Sequence, residues 1–539
     1  MPADPHRRGD AATSAADGTF VLAVDLGTGG PKVAVVSATG RIVASAFEPV
    51  ALQLLPGGGA EQDPAAWWDA VVRATRRLMV DGTVAVDRIV GVGCTAQWSG
   101  TVAAAADGTP VRPAVIWMDS RGSAAIRRQA GGVVNVLGYD VRKLQRWIRL
   151  TGGAPGQSGK DPLAHILWIR EAEPDAYRAT YKFLEPVDWL NHQLTGRFAA
   201  SHDSIVVHWV TDNRRIGAID YDRTLLRMAG LDRAKLPDLV PSATVMGHLR
   251  REAADALGLP AGLPVATGTG DVHSAAVGSG AVSDFAGHLY IGTSSWISCH
   301  VPFKKTDALR NVASIPAAIP GKYLVADEHE TAGACLTFLV HSVLFGDDSL
   351  GSTAPGDDVY RRLDEVAATA APGANGAMFT PWLNGERSPV DDHTIRGGFH
   401  NLSLSTTRPD LVRAVYEGVA LNTRWLLGAV ERFVGRRLDP LAFIGGGANS
   451  DVWAQIHADV TGRRIRQVAD PVLANVRGAG LLTFLALGLV TVPDMAAMVE
   501  VRATFEPDLS QGPVYDKLYP EFVNLYKQTK QIHKRLNRH

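Results

Sequence analysis

The chain has 539 residues, 46% hydrophobic and 20% charged, with a formal net charge of −1 at neutral pH. That is long enough for more than one domain and apolar enough for large cores, which excludes a disordered protein. The near-balanced charge gives no electrostatic footprint for nucleic acid or an anionic membrane.

Three cysteines, Cys94, Cys299 and Cys335, lie far apart, with neither zinc-site spacing nor the density of a secreted disulfide scaffold. Residues 1–19 are polar and lack an apolar h-region, so a disordered tail is expected rather than a signal peptide. The apolar run 480–492 ends at Pro493, short of the ~20 residues that span a bilayer. It is expected to be a buried helix, and the cytoplasm is the expected compartment. Near the C-terminus, Lys527, Lys530, Lys534, Arg535 and Arg538 follow the stripe Tyr515, Tyr519, Phe522 and Tyr526. They read as cations complementing the end of a helix.

Order is expected from Phe20. Phe20–Val24 reads as a strand, residues 25–30 (Asp-Leu-Gly-Thr-Gly-Gly) as a tight turn, and Lys32–Val36 as a second strand. A strand–turn–strand unit differs from the strand–turn–helix of a dinucleotide fold. Asp63-Pro64 predicts a capped helix start before Trp67 and Trp68. Residues 88–94 predict a buried strand delivering Gln97-Trp98-Ser99-Gly100, and residues 262–266 another delivering Gly268-Thr269-Gly270-Asp271.

The second half repeats the opening theme. His288–Ile291, a small-residue turn and Trp296–Val301 mirror the first hairpin, and Tyr290-Ile-Gly-Thr293 echoes Val24-Asp-Leu-Gly-Thr28. An internal duplication is expected. Residues 441–444 predict a strand delivering Gly445-Gly-Gly-Ala-Asn449, with a helix near 452–460.

Three glycine-rich turns, each after an apolar strand, offer exposed backbone N–H groups of the kind that hold phosphate oxygens. Asp25 at the first turn could hold Mg²⁺ through water. Asp271, at a strand-to-helix junction, has two readings. It is either a structural N-cap or a general base that takes the proton from an attacking hydroxyl.

In order along the chain stand Asp25-Leu-Gly-Thr28 with Lys32, Glu61-Gln-Asp-Pro64 with Trp67-Trp68, and Trp117-Met-Asp-Ser-Arg121. They are followed by Gly268–Asp271, Ile291-Gly-Thr-Ser294, Gly385-Glu-Arg-Ser-Pro389, Arg396-Gly-Gly-Phe399, Arg413–Gly418 and Ile444–Ala448 with Trp453. Together they resemble the FGGY carbohydrate kinases, closest to the xylulokinase-like branch. The resemblance implies an α/β fold of two actin-like (ribonuclease-H-like) ATPase domains around an interdomain cleft. Residues 20–280 would be the sugar-binding side and 281–539 the nucleotide-binding side. It places Asp271 on the catalytic base and Asp25 on the metal-associated aspartate. Gly27, Thr28 and Lys32, with Gly292 and Thr293, would face the phosphates of ATP. Gly333, Gly446, Gly447 and Asn449 would line the nucleoside pocket. Gln97, Trp98, Ser99 and Val272 would join Asp271 on the sugar or polyol. The implied cofactors are ATP and Mg²⁺, and a homodimer stays open.

The departures cluster on the substrate side. Trp98-Ser99 stands where xylulokinases have Met-His, Val272 replaces Asn or Gln, His165 and Val187 replace lysines, and Asn401 replaces a glycine. Loss of an imidazole and gain of an indole change both pocket volume and hydrogen bonding. These changes favour a kinase with a shifted acceptor. They also keep in view a nucleotide-binding sensor that lost transfer and, more distantly, an actin-like ATPase. Trp98 and His273 are expected to line the pocket, His165 to be a satisfied core residue, and Glu386-Arg387 to be a structural ion pair.

Overall fold

The computed structural model describes residues 18–307, 312–348, 351–352 and 354–537. Most of the expected N-terminal tail, and Arg538 of the basic cluster, fall outside them.

The first sheet opens with an antiparallel meander, β1 (Phe20–Gly27), β2 (Gly30–Ser37) and β3 (Ile42–Phe47). β4 (Ile89–Ala96) runs parallel to β1, and β5 (Val245–His248), β6 (Pro264–Ala266) and β7 (Thr269–Gly270) complete the order β5-β6-β4-β1-β2-β3, with β7 also paired to β4. Helix α1 (Pro64–Val80) starts as its sequence predicts: Asp63 accepts the Ala65 N–H and Pro64 occupies the first turn. It buries Trp67, Ala70, Val71, Ala74 and Leu78 towards the sheet, a stripe at helical spacing. α2 (Pro186–Thr195) packs near β4, and α3 (Asp271–Gly278) leaves β7 directly.

The second sheet contains β8 (Gly287–Ile291), β9 (Ser295–Val301), β10 (Thr306–Asp307), β11 (Val312–Pro316), β12 (Tyr323–His329), β13 (Leu441–Ile444), β14 (Ile465–Val468) and β15 (Val501–Phe505). Its order is β10-β11-β12-β9-β8-β13-β14-β15. Reading outward from β8, the pairing senses match those around β1: antiparallel to β9 and on to β12, parallel to β13 and β14, antiparallel to β15. The expected duplication is therefore one of topology, and the short Gly-Thr similarity marks equivalent hairpins. Helices α4 (Gly333–Phe338), α5 (Arg408–Val434) and α6 (Asp451–Thr461) accompany this sheet.

Helix α7 (Ala474–Ala486) ties the halves together. It follows β14 of the second sheet yet packs on β1 and β4 of the first and crosses α3. At the crossing, a Cβ on Gly278 would collide with the Ala474 carbonyl, and one on Gly478 with the Ser274 carbonyl. One apolar cluster accordingly joins Val21 and Val36 of the first sheet, Ala275 and Ala276 of α3, Leu324 of the second sheet and Leu481 of α7. The buried helix expected over 480–492 is displaced. It ends at Ala486, because Gly488 turns left-handed (φ +69°) and Thr491 caps a new turn over residues 492–497. The terminal helix α8 (Gly512–Leu536) buries Tyr515 and Phe522 of its predicted stripe.

Candidate active site

In the first sheet Asp25, Thr95 and Thr269 stand abreast on β1, β4 and β7. Two residues further along, where the parallel strands end, the chain presents Gly27, Gln97 and Asp271, so one sheet edge gathers all three.

Asp271 is the first residue of α3. The cap position belongs to Gly270, and Asp271 Oδ1 accepts the N–H of Val272 at 2.9 Å. The residue keeps part of its surface exposed. Desolvation, then the charges of Asp25 and Glu328, push its carboxyl up to about 7. Asp25 is buried; its Oδ2 lies 3.5 Å from Lys32 Nζ and its Oδ1 has no hydrogen-bond partner. Burial raises its carboxyl pKa, with Lys32 opposing. Among the described residues no three His, Cys, Asp or Glu side chains converge on one point. A hard cation that keeps most of its waters needs only one or two carboxylates, and the orphaned Asp25 Oδ1 fits that role.

The turn after β1 is held from behind. Thr28 Oγ1 donates to Gln97 Oε1 (3.1 Å) and accepts from Trp117 Nε1 (3.0 Å). Gln97 Nε2 donates to Gln62 Oε1 (2.7 Å), and Gln62 Nε2 donates to the Thr28 carbonyl (2.8 Å). Gln97 is thus buried with both amide atoms engaged, bracing the Gly27-Thr28 turn. Trp98 is half-buried, its Nε1 bonded to the Ser204 carbonyl at 2.9 Å. Its indole lies so close to Gly270 that a Cβ there would stand 2.7 Å from Cγ. Ser99 is left-handed (φ +66°), and its hydroxyl donates to the Lys160 carbonyl at 3.1 Å.

Two expectations on this side need correction. His273 does not line the crevice: it is fully buried behind Trp98, edge-on to the indole at 5.0 Å between ring centres. Val272 is 5% exposed and its side chain sits in the apolar cluster joining the two sheets. Both follow from helical geometry, which turns the positions after Asp271 inward. His165 is the core residue expected, its Nδ1 3.1 Å from Thr101 Oγ1. Val187 is buried under Gly268.

Across the crevice, Gly292 and Thr293 join β8 to β9. Gly333 begins α4 against them, its N–H donating to the Gly292 carbonyl at 2.9 Å, so that a Cβ at Gly333 would collide with that oxygen. Gly445 (φ +89°) turns the chain out of β13 where a Cβ would strike the Ile291 carbonyl. Gly446 and Asn449 follow, exposed, and Gly447 packs on Ile291 and Trp453. Gly292, Gly333 and the 445–449 turn therefore share one edge of the second sheet. Tyr290 links this edge to the first: its ring stacks on Trp296 at 3.7 Å, its hydroxyl lies over Gly292, and its pKa is raised by burial and then by the charges of Asp271 and Asp25. Tyr290 therefore sets the Gly292 turn near the charges of Asp25 and Asp271.

The family model for the N-terminal domain of FGGY carbohydrate kinases matches residues 20–278, and that for the C-terminal domain matches residues 288–487. This chain belongs to the FGGY family of carbohydrate kinases. It is 32% identical over 510 residues to a xylulose kinase of Streptomyces rubiginosus, covering 93% of this chain and 94% of the relative. It is 28% identical over 528 residues to a xylulose kinase of Staphylococcus epidermidis, covering 95% and 97%. Among solved structures, a xylulose kinase from Rhodospirillum rubrum superposes with a TM-score of 0.79 at 26% identity, covering 95% of this chain and 99% of that one. A ligand-bound xylulose kinase from Lactobacillus acidophilus gives 0.84 at 20% identity, covering 96% and 100%, a likeness of fold. FGGY kinases phosphorylate carbohydrates at the expense of ATP. Among the described residues no helix is long and apolar enough to cross a membrane.

A charge cluster that local sequence did not reveal connects the two halves of this FGGY kinase. Arg387 pairs with Glu328 and Glu330 of the second half, and its guanidinium lies 5.6 Å from the ring centre of Trp117 in the first. Lys160 of the first half reaches Glu330 Oε1 at 3.4 Å. The expected Glu386–Arg387 pair does not form. Glu386 turns inward to Asn422 Nδ2 (2.6 Å) and accepts the Glu330 N–H (3.0 Å), leaving Arg387 to the two outward carboxylates. Neighbouring residues on an extended segment point to opposite sides, which is why adjacency misleads here. The one available signal was Glu328-His329-Glu330, whose period of two puts both acids on one face of the strand.

Proposed function

We propose that this FGGY kinase transfers the γ-phosphoryl group of ATP to a hydroxyl of a small, uncharged ketose or polyol, with Asp271 as general base. The reading is supported by the Asp271 carboxyl, which keeps part of its surface exposed, lies within reach of the charge of Asp25 and of Tyr290 beside Gly292, and is pushed up to about 7. A base with a pKa near the working pH combines an adequate ionised fraction with a real affinity for the proton. Asp271 would take the acceptor's proton as the hydroxyl oxygen attacks phosphorus in line; positioning and charge neutralisation supply the rest of the rate.

Gly27, Thr28 and Lys32, with Gly292 and Thr293, would hold the polyphosphate, the glycines allowing backbone N–H groups to approach its oxygens. Gly333, Gly446, Gly447 and Asn449 would shape the nucleoside end. Mg²⁺ held at Asp25 through water would offset phosphate charge. On this assignment residues 20–280 present the acceptor and residues 281–539 the nucleotide. Trp98, Ser99 and Asp271 would meet the sugar, Gln97 would act by bracing the turn, and Val272 would contribute its backbone. We place the reaction in the cytoplasm, a reducing compartment that suits three buried free thiols.

Charge supports a neutral acceptor. Lys160, whose carbonyl accepts the Ser99 hydroxyl, is already paired with Glu330, and Arg387, which lies over Trp117, with Glu328 and Glu330. An acidic sugar would have to displace those carboxylates and then approach Asp271. The names of the relatives make D-xylulose the first acceptor to try, while Trp98 and Ser99 give the pocket its own shape. The test is a panel of ketoses, polyols and sugar acids with MgATP, reading ADP release. Asp271→Ala should lower kcat on the best acceptor by about 10²–10⁴-fold while ATP binding, measured by calorimetry, persists. Near-wild-type turnover in that variant would refute the base assignment, and a panel with no active member would favour a sensor.

A further inference from the structure

Beneath the Trp98–Gly100 turn lies a closed ring of contacts that the roles above leave unused. Glu185, the residue before α2, is fully buried, and its Oε2 accepts the Gly100 N–H at 3.0 Å. Its Oε1 has no hydrogen-bond partner and stands 3.8 Å from Nδ1 of His208, which is also fully buried with neither ring nitrogen bonded. The next residue, Trp209, is left-handed (φ +57°), and its Nε1 donates to Asp161 Oδ2 at 2.8 Å. Lys160, beside Asp161, accepts the Ser99 hydroxyl on its carbonyl. The ring runs Gly100–Glu185–His208–Trp209–Asp161–Lys160–Ser99 and returns to Gly100. Gly100 itself admits no side chain, since a Cβ would lie 2.5 Å from Pro186 Cγ.

Two buried polar groups that face each other with open valences are costly unless they serve each other. Burial, then the charge of Asp188, raises the Glu185 carboxyl well above the carboxylate range, and burial drops His208 to about 3. Both shifts favour the neutral forms. In those forms Oε1 has an O–H to donate, and an imidazole nitrogen can accept it. A shift of about 1 Å brings the two atoms into hydrogen-bond range.

We propose that Glu185, backed by His208, is a positioning residue for the acceptor. It pins the left-handed Ser99 turn from below and so sets how Trp98 and Ser99 are presented to the crevice. This rests on the reading of Trp98 and Ser99 as acceptor-side residues. A merely structural carboxyl would affect stability and both substrates alike. A positioning one splits them.

The test combines steady-state kinetics, using D-xylulose and ATP as probes, with hydrogen–deuterium exchange of the peptide spanning residues 97–101 in the full chain. Glu185→Gln keeps an oxygen for Gly100 and an N–H for His208, and should preserve both KM values. Glu185→Leu orphans the Gly100 N–H. Loss of such a bond should raise the KM for D-xylulose by about 10-fold, leave the KM for ATP within about 2-fold, and speed exchange in 97–101 alone. His208→Phe should act in the same direction more weakly, and it decides the matter if Glu185→Leu does not fold. Unchanged exchange at 97–101 in a folded variant, or equal rises in both KM values, would overturn the proposal. Should the wild type ignore D-xylulose, the acceptor reading fails there, while the exchange data still support or overturn the bracing by Glu185.

Discussion

Asp25 on β1 and Asp271, the residue that follows β7, flank the end of β4, and the charge of Asp25 helps hold the proton on Asp271. Two carboxylates brought together in a desolvated cleft cannot both ionise cheaply. Because a base must be ionised to work, kcat/KM should rise with pH along a limb centred near 7, the value to which Asp271 is raised. Glu328→Gln removes a second negative neighbour and releases the charge of Arg387. Ionisation of Asp271 becomes easier, and the limb should move to lower pH. A pH–rate profile of the two proteins checks this; an unmoved or alkaline-shifted limb contradicts it.

The same shift has a consequence for stability. Asp271 has a folded pKa of about 7 against an ordinary value of 3.8. Its contribution is fully present below the lower value and is lost as pH rises through the higher one. Asp271→Asn stays neutral throughout. The variant should therefore melt at a higher temperature than the wild type at pH 8 and close to it at pH 4.5. Scanning calorimetry at both pH values reads the difference, and a gain no larger at pH 8 than at pH 4.5 would be inconsistent with a desolvated carboxylate.

Gly333 touches the Gly292 carbonyl so closely that no side chain fits. Gly333→Ala must push the Gly292-Thr293 turn away from β8. The KM for ATP should rise by about 10-fold, the cost of a displaced hydrogen-bonded turn, with the KM for the acceptor nearly unchanged. A variant that binds ATP normally would remove this turn from the nucleotide site.

Glu330 occupies both Lys160 and Arg387. Glu330→Gln frees a positive charge on the side proposed for the acceptor. Sugar acids should then gain as substrates or inhibitors relative to neutral ketoses, an effect that weakens as salt is added. Competition assays with D-gluconate against D-xylulose measure it. An unchanged preference would show that these cations lie too far from the acceptor to read its charge.

Much of the scaffold was legible in the chain because its signals are local. The Asp63-Pro64 helix start, the strand before Asp271 and the two Gly-Thr hairpins each follow from turn chemistry and period-two patterning within about ten residues. Even the duplication surfaced in a short match, Val24-Asp-Leu-Gly-Thr28 beside Tyr290-Ile-Gly-Thr293, although repeated strand order is what establishes it. The error over residues 480–492 was also local: hydrophobicity alone does not reveal that Gly488 is left-handed.

Other relationships connect residues far apart in the chain, and no window of sequence contains them. Val272 and His273 read as pocket-lining because they follow Asp271, yet the direction of α3 sends them into the core and behind Trp98. Arg387 ignores its neighbour Glu386 for carboxylates almost sixty positions away, and Glu185 meets His208 only because α2 and the 205–209 turn fold beneath the same loop. Residue order specifies backbone shape over short spans. Which polar groups lose water together, and so must satisfy one another, is settled when the helices and sheets pack.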